Sequence, residues 1–145
     1  MSKWSGYTHR IPYSEVDPQS IVFNSRYLEF FDAANVEFFR AFGYPIDVMS
    51  DAGLDTLVVE VNIRYHASVR MDQLIHIDVS CSRLGNTSYD LSFEVRIKDP
   101  ETGSLSENIA TSATISYVNV DQVTRKSTPV PQIFRDFLNV TPRVV

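Results

Sequence analysis

Cysteine is nearly absent: Cys81 stands alone in 145 residues. No internal disulfide is possible, which fits a reducing compartment and sets the expected location as the cytoplasm. Glycine is scarce as well, with five residues. None of them builds a Gly-x-Ser-x-Gly nucleophile elbow, a Walker loop or a dinucleotide fingerprint. No apolar run approaches the ~18 residues that a membrane span needs. The opening residues, Met1 to Gly6, lack the apolar stretch of a signal peptide. Positive charge is thin: thirteen Lys and Arg face eighteen Asp and Glu, for a net charge of −5. Arg125-Lys126 is the nearest thing to a basic cluster, too little to replace the counterions of a nucleic acid. One or two local cations still suffice to hold a phosphorylated small ligand. His9, His66 and His76 lie far apart and form no His-x-x-x-His or Glu-x-x-His pattern, so no metal site is expected.

What is present is the make-up of an ordinary globular protein, 43% hydrophobic and 21% charged. The length suits one domain, which buries on the order of 70% of its unfolded surface. A single domain over 1–145 is expected, with its core at about 7–120 and a tail at 121–145.

Periodicity supplies the elements. Tyr7 to Tyr13 reads as a short strand, and Ser14 to Ser20, with Pro18, as a loop. Tyr27, Phe30, Phe31, Ala34, Phe38 and Phe42 then fall at helical spacing on one stripe. Asn24 and Ser25 are suitable N-caps before it; Gly43 and Pro45 end it. So many aromatic side chains on one face ask for a broad partner, most simply a sheet. The period then drops to 2. Leu57, Val59, Val61, Ile63 and Tyr65 alternate with polar residues, Val58 excepted, and Val58, Ala110 and Val118 are assigned to the opposite face. Alternation recurs at Ile75 to Cys81, at Tyr89 to Ile97, and at Ile109, Ala113, Ile115 and Tyr117. Gly85-Asn86 and Asp99 to Gly103 supply turns. Pro131 to Leu138 suits a short helix. The fold class is α+β: a long helix packed on a curved, five-stranded antiparallel sheet.

Little in this chain is built for chemistry. Cys81 sits mid-strand and reads as a small core residue. His76 alternates with Ile75 and Ile77 and so points to the opposite face. The loop before the helix is the exception. Glu15 and Asp17 share a side if the stretch is extended, and Pro18 biases Asp17 toward extended backbone. The helix that follows begins with N–H groups lacking an internal partner. A carboxylate facing such donors has two of the parts that acyl transfer needs. On local chemistry alone, a plain Asp-Pro turn explains the same residues.

The stretch Asp17-Pro-Gln-Ser-Ile-Val-Phe-Asn-Ser-Arg-Tyr27 resembles the signature of the 4-hydroxybenzoyl-CoA thioesterase family of hot-dog proteins. Leu28 to Ala34, Ile63-Arg-Tyr65, Asp72-Gln-Leu74 and Gly85 to Tyr89 resemble its later blocks, so that the likeness spans most of Ile11 to Tyr117. The resemblance implies a cytoplasmic thioesterase that hydrolyses an acyl-CoA to a carboxylic acid and free CoA. It needs no metal or redox cofactor. Asp17 matches the catalytic aspartate, acting either as nucleophile or as general base. Asn24 falls where a backbone N–H polarises the thioester carbonyl, and Tyr27 matches a tyrosine of the first helical turn. Ser20 and Tyr27, together with Val58, Val59 and Glu60 of a second chain, are the expected substrate contacts. Assembly is expected as a homotetramer, a dimer of dimers with shared sites. Arg64, Arg70, Arg83, Arg125 and Lys126 are candidates for the CoA phosphates. The alternative is a hot-dog protein that binds CoA or an acyl carrier without hydrolysis; a dehydratase relative would need a histidine near the loop. Ser20 and Met71 replace glycines common in the family, and Ser68 replaces a proline. A glycine at position 20 would permit close backbone approach.

Overall fold

The structure is a computed structural model that describes residues 4–140, and of Val140 the backbone alone. Positions 1–3 and 141–145 of the expected domain lie outside the described residues. The elements are β1 (Trp4–Arg10), α1 (Arg26–Ala41), α2 (Ile46–Asp51), β2 (Thr56–Tyr65), β3 (Leu74–Leu84), β4 (Ser88–Lys98), β5 (Thr111–Asn119) and α3 (Gln132–Val140). One turn of 3-10 helix, Tyr13–Glu15, interrupts the first loop. The five strands form one sheet in the order β1-β3-β4-β5-β2, and every neighbouring pair is antiparallel.

Alternation decides which side of the sheet meets the helix. Tyr89, Leu91, Phe93 and Val95 of β4 are buried, while the residues between them are partly exposed. The register aligns them with Leu84, Cys81, Val79 and Ile77 of β3. Against this face α1 lays Tyr27, Phe30, Phe31, Ala34, Phe38 and Phe39, all buried. Phe31 meets Phe93 with ring centroids 4.9 Å apart. Removing a ring such as Phe31 by Phe→Ala would cost about 3–5 kcal/mol, because close packing leaves the cavity unfilled. α3 closes the end of the layer: Phe134 and Leu138 are buried, and Phe137 lies 5.0 Å from Phe38 and 5.2 Å from Phe39. Gly43, at φ +91, stops α1 with its N–H on the Arg40 carbonyl.

Several expectations shift. The first strand runs over Trp4–Arg10 rather than Tyr7 to Tyr13, and Tyr13 is 81% exposed in the 3-10 turn. Ile109 precedes β5 instead of alternating within it. Phe42 lies beyond the end of α1 and is half-exposed, yet its ring still meets Phe137 at 4.5 Å. Neither Asn24 nor Ser25 caps α1 through its side chain: Ser25 is already in right-handed helical backbone, so the chain enters the helix through a turn. The short helix α2 follows Pro45, a residue suited to a helix start. Its Ile46 and Val48 are exposed, so α2 carries no continuous apolar stripe.

The largest shift is in β2. A bulge between Val58 and Glu60 changes the phase of the strand. Val58 pairs with Tyr117 and Val61 with Ile115, on the face toward α1, while Leu57 pairs with Val118 on the other face. Val58 therefore does not share the face of Val118, as simple counting expects. β2 also lies at the sheet edge, so even the inward-facing Val58 is 55% exposed, and Val59, at the bulge, is 60% exposed.

His76 does face away from α1. Its Nε2 lies 2.5 Å from Ser5 Oγ and its Nδ1 3.1 Å from Thr8 Oγ1. Burial pushes its imidazole below the usual histidine range, with Asp78 opposing that shift. Asp78 sits on the same ring nitrogen as Ser5, at 3.5 Å, so the three do not form a serine–histidine–aspartate relay. The Cys81 thiol is buried and donates to the Arg83 carbonyl at 3.3 Å.

Candidate active site

The loop that carries Asp17 is closed by its own backbone. The Asp17 N–H donates to the Ile21 carbonyl at 2.9 Å and the Ser20 N–H to the Asp17 carbonyl at 2.8 Å. Val16 and Val22 form an antiparallel bridge on either side. The reversal turns on Ser20, whose φ is +62. Left-handed backbone costs a residue with a Cβ about 1–2 kcal/mol. A positive φ, not close approach, is thus what a glycine would serve at this position. Met71 needs no glycine; the left-handed residue is Asp72, at φ +70.

Two anchors fix the loop. Glu15 Oε1 lies 2.7 Å from His9 Nε2 of β1, and the Glu15 carbonyl accepts the Phe23 N–H at 2.9 Å. On the other side Ile21 bridges Arg70, and the Val22 N–H donates to the Val69 carbonyl at 2.8 Å. Asp17 Oδ1 accepts the Gln19 N–H at 2.7 Å. Its second oxygen has no partner among the described residues. One carboxylate oxygen is held by the backbone and the other is left for chemistry.

Asp17, Asn24 and Tyr27 line one cavity of about 300 Å³, together with Tyr65, His66 and Val69. Asn24 stands in the turn that enters α1, and no hydrogen bond uses its N–H among the described residues. Tyr27 is buried, edge-on to both Phe30 and Tyr65 at 5.5 Å. Burial pushes its phenol above the ordinary tyrosine range, so it stays neutral. Ser20 shapes the loop without lining the cavity. Val58 lines a separate cavity of about 280 Å³ between α1, α2 and β2, with Asp32, Asn35 and Tyr117. Neither Val59 nor Glu60 lines the Asp17 cavity, and the bulge turns Glu60 to the face away from α1. Within one chain the strand contacts expected at 58–60 are therefore apart from Asp17.

Tyr65 and His66 are two cavity residues to which the sequence assigned no role in the site. Tyr65 read as the last member of an apolar alternation, yet its hydroxyl donates to the Asn24 carbonyl at 2.9 Å. Nothing in a strand pattern marks such a contact across 41 positions. Among the cation candidates, Arg83 is engaged by Asp90 through two bonds of 2.9 Å, whereas Arg70 flanks the Asp17 loop. A larger cavity, about 540 Å³, lies at the ends of β1, β3 and β4 around Arg10, Asp72 and Lys98. Its carboxylates are tied locally, Asp72 to Arg10 at 3.6 Å and Asp99 to the N–H groups of Glu101 and Thr102 at 2.8 and 3.1 Å, so size alone does not mark the site.

The family model of the Thioesterase-like superfamily matches residues 11–138. A putative esterase of Aquifex aeolicus is 28% identical over 93 residues, 64% of this chain and 73% of that protein. The acyl-CoA thioester hydrolase YbgC of Escherichia coli is 24% identical over 123 residues, 85% of this chain and 87% of that one. Among solved structures, a mutant 4-hydroxybenzoyl-CoA thioesterase complexed with 4-hydroxybenzoyl-CoA superposes with a TM-score of 0.78 at 20% identity, covering 91% of this chain and 96% of the other.

Proposed function

The chain belongs to the Thioesterase-like superfamily, and we propose that it hydrolyses acyl-CoA thioesters at Asp17. It is a thioester hydrolase of the hot-dog fold. The observation that carries the finer reading is the single cavity lined both by Asp17, with one carboxylate oxygen unengaged, and by Asn24, with its N–H unengaged. In that cavity the thioester carbonyl oxygen accepts the Asn24 N–H, and the developing negative charge is stabilised there. Asp17 attacks the carbonyl carbon, or takes a proton from a water that attacks it. The C–S bond breaks and CoA leaves as the thiol once protonated. In the first route the acyl group stays on Asp17 as a mixed anhydride that a water then cleaves to the carboxylic acid and free Asp17; in the second the attacking water has already supplied the acid's oxygen. No cofactor takes part beyond the CoA carried by the substrate, and Arg70, which bridges Ile21 of the Asp17 loop, is the cation assigned to its phosphates. A reducing compartment such as the cytoplasm suits the buried thiol of Cys81; among the described residues no helix is long and apolar enough to cross a membrane.

The site is completed by a second copy. β2 is a ten-residue edge strand with Leu57, Val58, Val59 and Val61 exposed, an arrangement that a lone protein avoids. If β2 pairs antiparallel with its own copy about its midpoint, Tyr65 lies across from Thr56 of the partner subunit. The Asp17 cavity of one subunit then borders the cavity of the other at the partner's Val58, which receives the acyl group. Ile46 and Val48, exposed on α2, leave a further apolar patch through which dimers pair into a tetramer.

Release of free thiol from a panel of aromatic and aliphatic acyl-CoAs is the direct test. Hydrolysis of at least one is expected. CoA binding without thiol release would instead support the non-hydrolytic alternative.

A further inference from the structure

Two consecutive peptide units at the entrance to α1 are each held by their carbonyl. The Arg26 N–H donates to the Phe23 carbonyl at 2.9 Å, closing a four-residue turn. Its third residue, Ser25, has φ −76 and ψ −16. A negative φ at that position makes the turn type I, which places Asn24 in right-handed backbone as well. The N–H groups of Asn24 and Ser25 then point nearly the same way, as in the first turn of a helix. Neither has a partner among the described residues. In a trans peptide the N–H points opposite to the carbonyl of the same unit. The Asn24 N–H is therefore aimed by the bond to the Phe23 carbonyl, which the turn provides by itself. The Ser25 N–H is aimed by whatever holds the Asn24 carbonyl, and that group is the Tyr65 hydroxyl at 2.9 Å.

We propose that Tyr65 is a positioning residue for thioester hydrolysis: its hydroxyl holds the 24–25 peptide so that the Ser25 N–H joins the Asn24 N–H on the oxyanion. The inference rests on the function proposed above. Tyr65 reaches the turn from the end of β2, where register with Thr111 fixes its backbone and the edge of Tyr27 fixes its ring. A donor on an amide carbonyl also polarises the amide and strengthens its N–H as a donor. The strand thus acts on the reacting carbonyl through one peptide unit.

Tyr65→Phe removes the hydroxyl and keeps the ring. Turnover is expected to fall roughly 10- to 100-fold with KM little changed, less than the 100- to 1,000-fold for losing a donor outright, because the Ser25 N–H is loosened rather than deleted. The discriminating measurement is the infrared stretch of the thioester carbonyl, in an acyl-CoA bound to the Asp17→Asn chain so that it stays intact. Adding Tyr65→Phe should shift that stretch to higher frequency. A purely structural tyrosine would leave it where it was. If Tyr65→Phe does not fold, 3-fluorotyrosine placed at position 65 gives the reverse test: its more acidic phenol should lower the frequency. An unmoved carbonyl stretch and unchanged kcat in a folded variant overturn the inference while Asp17 still stands as the catalytic group. A parent chain that releases no thiol from any acyl-CoA removes the proposed function, and the inference with it.

Discussion

The Asp17 loop and the β2 edge are the two halves of the proposed site, and they are built in opposite ways. The loop is closed: Asp17, Ser20, Val22 and Phe23 each spend a backbone N–H on a carbonyl within the chain, and Glu15 is tied to His9. The edge is open: β2 has a strand on one side only, and its valines face solvent. The other edge strand, β1, is shorter at seven residues and broken by a bulge between Ser5 and Tyr7, features that discourage further pairing. In the proposed assembly the chain prepares its carboxylate alone and a second copy supplies the opposite wall.

That contrast can be tested from either half. Asp17→Asn keeps the shape and removes the charge, so turnover should fall by roughly 100- to 10,000-fold, the span of general base catalysis. Circular dichroism and sedimentation should remain those of the parent. Near-normal hydrolysis would reduce Asp17 to a turn residue.

Asn24→Pro deletes the N–H itself. Proline is favoured at the second position of a type I turn, where Asn24 stands, so the entrance to α1 should survive. Turnover should drop by about 100- to 1,000-fold, whereas Asn24→Ala should stay within a few-fold of the parent, as no side-chain cap is lost. A dead alanine variant beside an active proline variant would move the role to the side chain.

Val59→Lys attacks the open half. The residue is 60% exposed at the bulge, so the monomer's own stability should change by less than about 0.5 kcal/mol. Light scattering should report the monomer of about 16.5 kDa, with at least about a 10-fold loss of kcat/KM if the wall is shared. A fully active monomer would show that the loop half suffices.

The smallest effect belongs to Ser20→Gly. Relieving a φ of +62 should gain up to about 1 kcal/mol in denaturant unfolding, since glycine's greater unfolded freedom offsets part of the relief. Turnover should be unchanged. A large change in rate would mean that the serine side chain takes part in the site.

How much of this was legible beforehand follows from what each signal measures. The α1 stripe at Tyr27, Phe30, Phe31, Ala34 and Phe38 and the alternation of β3 to β5 report burial, and burial by the chain's own core is what the fold delivers. β2 carries the same alternation, but Leu57, Val58, Val59 and Val61 lie open in this chain and a bulge breaks the phase, so the pattern misassigned Leu57 and Val58. A bulge shifts phase by one residue and leaves no mark in composition. Helix α2 was missed for a related reason: Ile46 and Val48 are exposed and only Met49 packs on the core. Asp17 was visible through its neighbours, Pro18 and the helix start, and through the likeness of the motif. Tyr65 and His66 were not, because their place in the cavity depends on where a strand ends relative to a distant turn.

By itself the sequence determined the layers, since helical and strand periods need only local counting, and it determined that a carboxylate precedes the start of a long helix. Only the tertiary structure decided what the carboxylate and the turn can do. Which oxygen of Asp17 is engaged, which N–H groups at Asn24 and Ser25 stay unpaired, and which strand lies open at the edge are questions of hydrogen-bond partners. Those partners are assigned by register and by loop closure between segments far apart in the chain, and no local pattern encodes them.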